Sequence, residues 1–227
     1  MIGIIGAMAI EVEALIEKLD EKSTAEFSGI TYVTGKFGGT SVVVAQCGMG
    51  KVNAAVCAQT MILKYAPKVI INTGVAGSVC GSAKIGDIVI GEKAVQHDLD
   101  LTPLGLERGF ISELETVFLP CTPDVVKRLE SAAAKFGSYR TETIATGDQF
   151  ISCAQTKTAI SNTFGATACE MEGASIAHVC TLNATPFGIV RTISDNADDD
   201  SSFDFNEFMK EAAKKSVRII FEYLEKN

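Results

Sequence analysis

The residues of this chain best suited to chemistry are carboxylates that fall where buried runs stop. Residues 188–193 form an apolar run of the kind that fills a sheet covered on both faces, and it breaks into Ser194-Asp195-Asn196-Ala197-Asp198. Asp195 is thus placed at the carboxyl end of a central strand, where open α/β sheets bind ligands. Capping the next helix is the alternative, since Asp is a favoured N-cap. Glu11 lies just beyond a first strand at residues 2–5 and is held as a site residue, whereas Glu13 only offsets a helix dipole. Glu170 and Glu172 open a stretch that is apolar nearly all round. Two carboxylates there are costly unless bound, with water or the helix N-terminus as the ordinary partner. Phe150, just after Gly147, is either core or a stacking wall for a flat ring.

Other chemistries lack their residues. Seven cysteines without a C-x-x-C pair, and only His97 and His178, argue against a zinc or iron site. There is no G-x-S-x-G elbow. The stretch Gly48-Met49-Gly50-Lys51-Val52-Asn53 fails a dinucleotide fingerprint at Asn53 and a Walker loop at Val52. Its glycines suit a tight turn and close approach of backbone to a ligand. A net charge of −8 with unclustered Lys and Arg argues against nucleic acid or an anionic membrane as partner. No run reaches the roughly 18 apolar residues of a membrane span. The start carries Glu11 and Glu13 and no basic n-region, unlike a signal peptide. The cysteines mostly sit in apolar company, so the chain reads as reduced and cytoplasmic.

The elements that must position these residues alternate. A strand at 2–5 leads through Gly6-Ala7-Met8 to a helix over 9–19. A hairpin turning at Gly38-Gly39 joins 30–35 to a core strand at 40–47, and a helix follows the 48–53 turn. The strand at 69–73 empties into a glycine loop at 74–81, whose backbone N–H groups could face a ligand oxygen; a plain crossover is the alternative. A strand at 87–96 precedes a polar loop at 97–105 and an aperiodic excursion at 106–122. Thr122-Pro123 opens an amphipathic helix over 123–136. A strand at 143–146, a helix over 170–183 and a last helix over 204–224 complete the pattern. The expected fold is α/β: a single domain, residues 1–227, with a mixed, mostly parallel central sheet flanked by helices.

Eight motifs now stand in one order: IGIIGAMAIEV (2–12), CGMGKVNAA (47–55), INTGVAG (71–77), KIGDIVIG (84–91), HDLDLT (97–102), TGDQFI (146–151), EMEGASIAHVC (170–180) and VRTISDNAD (190–198). Together they resemble the nucleoside phosphorylase superfamily and, more closely, the bacterial 5′-methylthioadenosine/S-adenosylhomocysteine nucleosidases, over nearly the whole chain. The resemblance implies hydrolysis of an adenine–ribose bond, no cofactor, no metal, an adenine nucleoside as substrate and a homodimer. Such a cleavage builds positive charge on the sugar and negative charge on the departing base, so the purine must be protonated and the sugar stabilised. By the resemblance, Asp195 would protonate the purine N7 and Glu11 would activate the attacking water. Glu172 would take both ribose hydroxyls, with Met171 beneath the sugar. Phe150 would stack on adenine, whose edge the Ile151 backbone would read. Met8, Met49 and Phe205 would line the sugar and alkylthio side. Val75, Ala76, Gly77 and Ser194 would complete the substrate wall, with Arg191 in support.

Two departures stand out. Val75 occupies a position where many relatives have Ser. Leu104, with Leu101, lies in the segment the family's partner subunit lends to the substrate tail, where an aromatic is replaced. Tail preference among methylthioadenosine, adenosylhomocysteine, deoxyadenosine and aminodeoxyfutalosine stays open. A phosphorylase would place phosphate beside Glu11, a repulsion of several kcal/mol at an effective dielectric constant of about 20, so water is the favoured nucleophile. A non-catalytic nucleoside-binding protein would be marked by loss of Glu11, Glu172 or Asp195, and all three are present.

Overall fold

The computed structural model describes residues 1–198 and 201–226, and it is organised by one sheet of ten strands. In chain order the elements are β1 (Ile2–Gly6), α1 (Glu13–Glu17), β2 (Asp20–Phe27), β3 (Ile30–Phe37), β4 (Thr40–Gln46), α2 (Lys51–Tyr65), β5 (Val69–Ser78) and β6 (Ile88–Gln96). There follow β7 (Leu119–Pro120), α3 (Pro123–Ala133), β8 (Tyr139–Thr146), α4 (Ala154–Phe164), β9 (Ala166–Glu170), α5 (Gly173–Leu182), β10 (Phe187–Asp195) and α6 (Ser201–Glu225). Neighbours run β10-β6-β8-β9-β5-β1-β4-β3-β2, with β7 on the side of β6.

β10 pairs with β5 as well as β6, so five strands close on themselves at one end of an otherwise open sheet. Strands β1, β4, β5 and β10 run in parallel, and β6, β8 and β9 run against them, also parallel to one another. The two sets meet where β10 pairs antiparallel with β6 and again where β5 turns antiparallel onto β9, with Gly77 opposite Cys169. That junction brings the carboxyl ends of β5, β9 and β10 together. Antiparallel pairing also builds the β2–β3–β4 meander at the far edge.

Period-two alternation divides the core. Ile5, Val43 and Ile70 face one side, against Ala54, Cys57, Met61, Ile176 and Cys180 of α2 and α5. Ile4, Val42, Val44 and Ile71 face the other, against Leu129 of α3 and Val217, Ile220 and Tyr223 of α6. No described helix is long and apolar enough to cross a membrane.

Several elements differ from the sequence expectation. The helix over 9–19 is a 3-10 turn at Ala9–Glu11 followed by the short α1, because Glu11 turns back to satisfy N–H groups at the end of β1. β2 is an added strand; it is exposed and polar, DEKSTAEF, so it carries no apolar alternation to betray it. The glycine loop at 74–81 is in its first half still strand, since β5 continues to Ser78. The helix expected from 170 starts at Gly173, and Glu170 is the last residue of β9. The last helix starts three residues earlier than expected, at Ser201.

Candidate active site

Glu11 shows how the backbone builds the site. The turn after β1 exposes two N–H groups, and Oε2 of Glu11 accepts both, from Ala7 at 2.8 Å and Met8 at 2.9 Å. Its Oε1 accepts the Val75 N–H of β5 at 3.1 Å. Burial pushes the carboxyl above its ordinary value, against the pull of these donors and of the Arg191 charge.

The glycines of β5 give room for this approach. A Cβ on Gly74 would stand 2.5 Å from Glu11 Oε1, and one on Gly77 would stand 2.7 Å from Asp195 Oδ1. One strand thus admits two carboxylates three residues apart, roughly 10 Å along the chain at about 3.3 Å per residue. A ligand can sit between them. Asp195 ends β10, where Oδ2 accepts the Ser194 hydroxyl at 2.9 Å and Oδ1 accepts the Ala197 N–H at 2.9 Å. Since α6 opens only at Ser201, Asp195 is not its N-cap.

Glu172 stands at the N-cap position of α5, yet its side chain makes no cap bond. It leans away, and Oε1 accepts the Gly50 N–H at 2.8 Å from the turn before α2. Burial, and next the charge of Glu170, push its carboxyl up to about 8.

These three carboxylates line one cleft. Met8, Met49, Val75, Ala76, Gly77, Phe150, Ile151, Met171, Ser194 and Phe205 line it with them. Phe150 is therefore wall rather than core; it is half exposed, and its ring meets Phe205 edge-on at 5.6 Å. Leu101 and Leu104 do not line the cleft within one chain, and Leu104 is exposed.

Arg191 requires a correction: it is not on the cleft wall. Its guanidinium is buried behind the carboxylates and donates to Glu170 and to Asn72, because an interior cation needs a fixed carboxylate as partner. Sequence reasoning missed Ala7, Gln149, Cys169 and Ala197 as lining residues, and it noted Glu170 beside Glu172 without giving it a role in the site. Ala7, Gln149 and Ala197 lie inside the quoted motifs. Cys169 and Glu170 belong to β9, a five-residue strand whose only strong signal is its burial.

The cleft can act chemically as an acid–base pair facing a nonpolar wall. Four carboxylates reach it, and among the described residues no Lys, Arg or His lines it. Comparison with known proteins gives the same outline. The model of the phosphorylase superfamily matches residues 1–225. The 5′-methylthioadenosine/S-adenosylhomocysteine nucleosidase of Shewanella halifaxensis is 41% identical over 227 residues, covering 98% of each chain. Among solved structures, the enzyme of that name from Neisseria meningitidis, in complex with methylthio-immucillin-A, superposes with a TM-score of 0.96 at 33% identity, covering 100% of this chain and 99% of that one. The futalosine hydrolase of Helicobacter pylori superposes with a TM-score of 0.95 at 31% identity, covering 100% and 97%.

Proposed function

The chain belongs to the phosphorylase superfamily and within it to the 5′-methylthioadenosine/S-adenosylhomocysteine nucleosidases, and from that premise we propose that it hydrolyses the N-glycosidic bond of both nucleosides to adenine and the thioribose product. One observation carries the choice of water over phosphate. The cleft holds carboxylates and no described cation on its wall, so a phosphate anion would face like charge with no cation lining the cleft to pair it.

In the proposed reaction the C1′–N9 bond breaks and its electron pair leaves with adenine, while the sugar gains oxocarbenium character. Asp195 gives a proton to N7 of the departing base. Glu11 takes a proton from the water whose oxygen bonds to C1′. Glu172 accepts the two ribose hydroxyls, Phe150 stacks on the base, and Met8, Met49 and Phe205 face the thioether. Val75 presents an apolar side chain beside Glu11 and contributes its N–H, so the missing hydroxyl leaves the positioning of Glu11 to backbone donors.

The working unit is a homodimer in this reading. Val52, Val56 and Leu63 of α2 and Leu182 of α5 are exposed, an apolar face that a second copy would cover, bringing Leu101 and Leu104 to its partner's cleft. A monomeric mass in sedimentation at micromolar concentration would refute it. No disulfide joins the described cysteines, which supports a cytoplasmic setting; cell fractionation tests that.

The deciding experiment is product analysis of methylthioadenosine incubated with the protein, with and without phosphate. Adenine and free methylthioribose in both tubes are expected. Adenine released only with phosphate, as a sugar phosphate forms, would make the chain a phosphorylase. No turnover of any adenine nucleoside would leave a binding protein.

A further inference from the structure

Glu170 has no part in the reaction above, yet its carboxylate makes more hydrogen bonds than either Glu11 or Asp195 has among the bonds described here. It ends β9 and is buried. Its Oε1 accepts the Gly173 N–H at 2.9 Å and the Thr146 hydroxyl; its Oε2 accepts the Gly173 N–H at 2.7 Å, the Glu172 N–H at 3.1 Å and the Arg191 Nη2–H. Thr146 extends the arrangement, accepting the Ala174 N–H at 2.8 Å. The Gly173 and Ala174 donors are first N–H groups of α5, which a helix leaves without internal partners. Ordinarily the N-cap side chain supplies that acceptor. Here the N-cap residue is Glu172, and it does not. Even the residue after it is fitted to this substitution, since a Cβ on Gly173 would stand 3.0 Å from Glu170 Oε1.

Two pulls act on Glu172 that would draw it out of the cleft: the open end of α5 and the buried charge of Arg191. Glu170 answers both. Among the described residues the Glu172 carboxyl keeps a single hydrogen bond, from the Gly50 N–H to Oε1, and none reaches Oε2. We propose that Glu170 is a positioning residue, which caps α5 and holds Arg191 so that Glu172 stays turned into the cleft with an oxygen open to the ribose hydroxyls. The inference rests on the proposed role of Glu172. Without the Glu170 charge, Arg191 would be left unpaired in the interior, and the next carboxylate in reach would be drawn to it.

The test compares binding of two probes, a 5′-methylthio C-nucleoside of adenine type, which has no N-glycosidic bond to cleave, and its 2′,3′-dideoxy counterpart. The wild-type protein should prefer the hydroxylated probe by about 100-fold, as two hydrogen bonds to the Glu172 carboxyl allow. In Glu170→Gln the preference should fall below about tenfold, while the dideoxy probe binds within about threefold of wild type. A variant that weakens both probes equally and keeps the full preference would overturn the proposal and leave Glu170 a merely structural residue. Should Glu170→Gln fail to fold, Thr146→Val carries the test, since it keeps the Glu170 charge and removes the hydroxyl that donates to Glu170 and accepts the Ala174 N–H. A preference reduced about threefold supports positioning, and an unchanged one refutes it. Equal affinity of the wild-type protein for the two probes is a different result: it removes the diol role from Glu172, and this inference with it.

Discussion

The floor and the rim of the cleft are built by opposite means. On the floor Glu11 and Asp195 are 2% and 3% exposed, and each takes backbone N–H donors that hold it before any ligand arrives. On the rim Met49 and Phe150 are 63% and 46% exposed, and the Phe150 ring meets the edge of Phe205. A preset floor avoids reorganisation when charge develops, which is where electrostatic catalysis gains most. An apolar rim gains most when something covers it, whether substrate or a second copy of the chain. Chemistry and affinity should therefore separate by region, with floor variants losing kcat and rim variants raising KM.

The hardest break falls on the floor. Asp195→Asn should lower kcat about 1,000-fold and Glu11→Gln about 100- to 1,000-fold, each with the nucleoside still bound, as measured by steady-state kinetics and calorimetric titration. Near-wild-type turnover in either would remove that residue from acid or base work. Gly74→Ala probes the same floor without replacing a carboxylate. Its Cβ would enter 2.5 Å from Glu11 Oε1, and displacing a reactive group by about 1 Å costs about 100-fold in rate. Gly81→Ala is the matched control, since a Cβ there meets nothing within 4 Å. If the two variants behave alike, the close fit of β5 around Glu11 has no catalytic meaning.

Legibility in the sequence follows the same division. Asp195 could be found because it ends a buried run and Glu11 because it follows one closely, and an abrupt change of polarity survives without coordinates. Glu172 could be found as a costly charge, but its neighbour Glu170 was given the same setting. Nothing local tells a strand end from a first helical turn in CEMEGAS, and the pairing of Glu170 with Thr146 and of Cys169 with Gly77 decides it. Arg191 misleads for a related reason. The motif sets it in support of the substrate wall, whereas its partners Glu170 and Asn72 are 21 and 119 residues away in the chain. β2 was invisible because its order comes from hydrogen bonding to β3 and not from burial.

Ionisation sharpens the comparison, since the floor titrates and the apolar rim does not. Glu172 has an ordinary value near 4.5 and is raised in the folded protein to about 8, by burial first and the Glu170 charge next. Between those values the folded chain binds more protons than the unfolded one. The stability gained from the protonated group is thus present below pH 4.5 and is lost as pH rises through about 8. Glu11 is raised in the same direction. The unliganded protein should lose on the order of 5 °C in Tm between about pH 5 and pH 8, measured by calorimetry. Glu172→Gln should flatten much of that slope, and Met49→Ala should leave it intact. A slope unchanged in Glu172→Gln would mean that the carboxyl is ionised across the range and that burial does not hold its proton.

The smallest effect belongs to the rim and tests the separation most directly. Phe150→Ala removes a half-exposed ring, its edge contact with Phe205, and the flat surface offered to the base. An aromatic pair contributes about 0.5–1.5 kcal/mol beyond its area, so KM for methylthioadenosine should rise about tenfold at most. The base is as flat in the ground state as in the transition state, so stacking binds both alike and kcat should stay within about twofold. A fall in kcat matching the rise in KM would mean that Phe150 holds the purine in register with Asp195. The rim would then share in the chemistry, and the two regions would be one device.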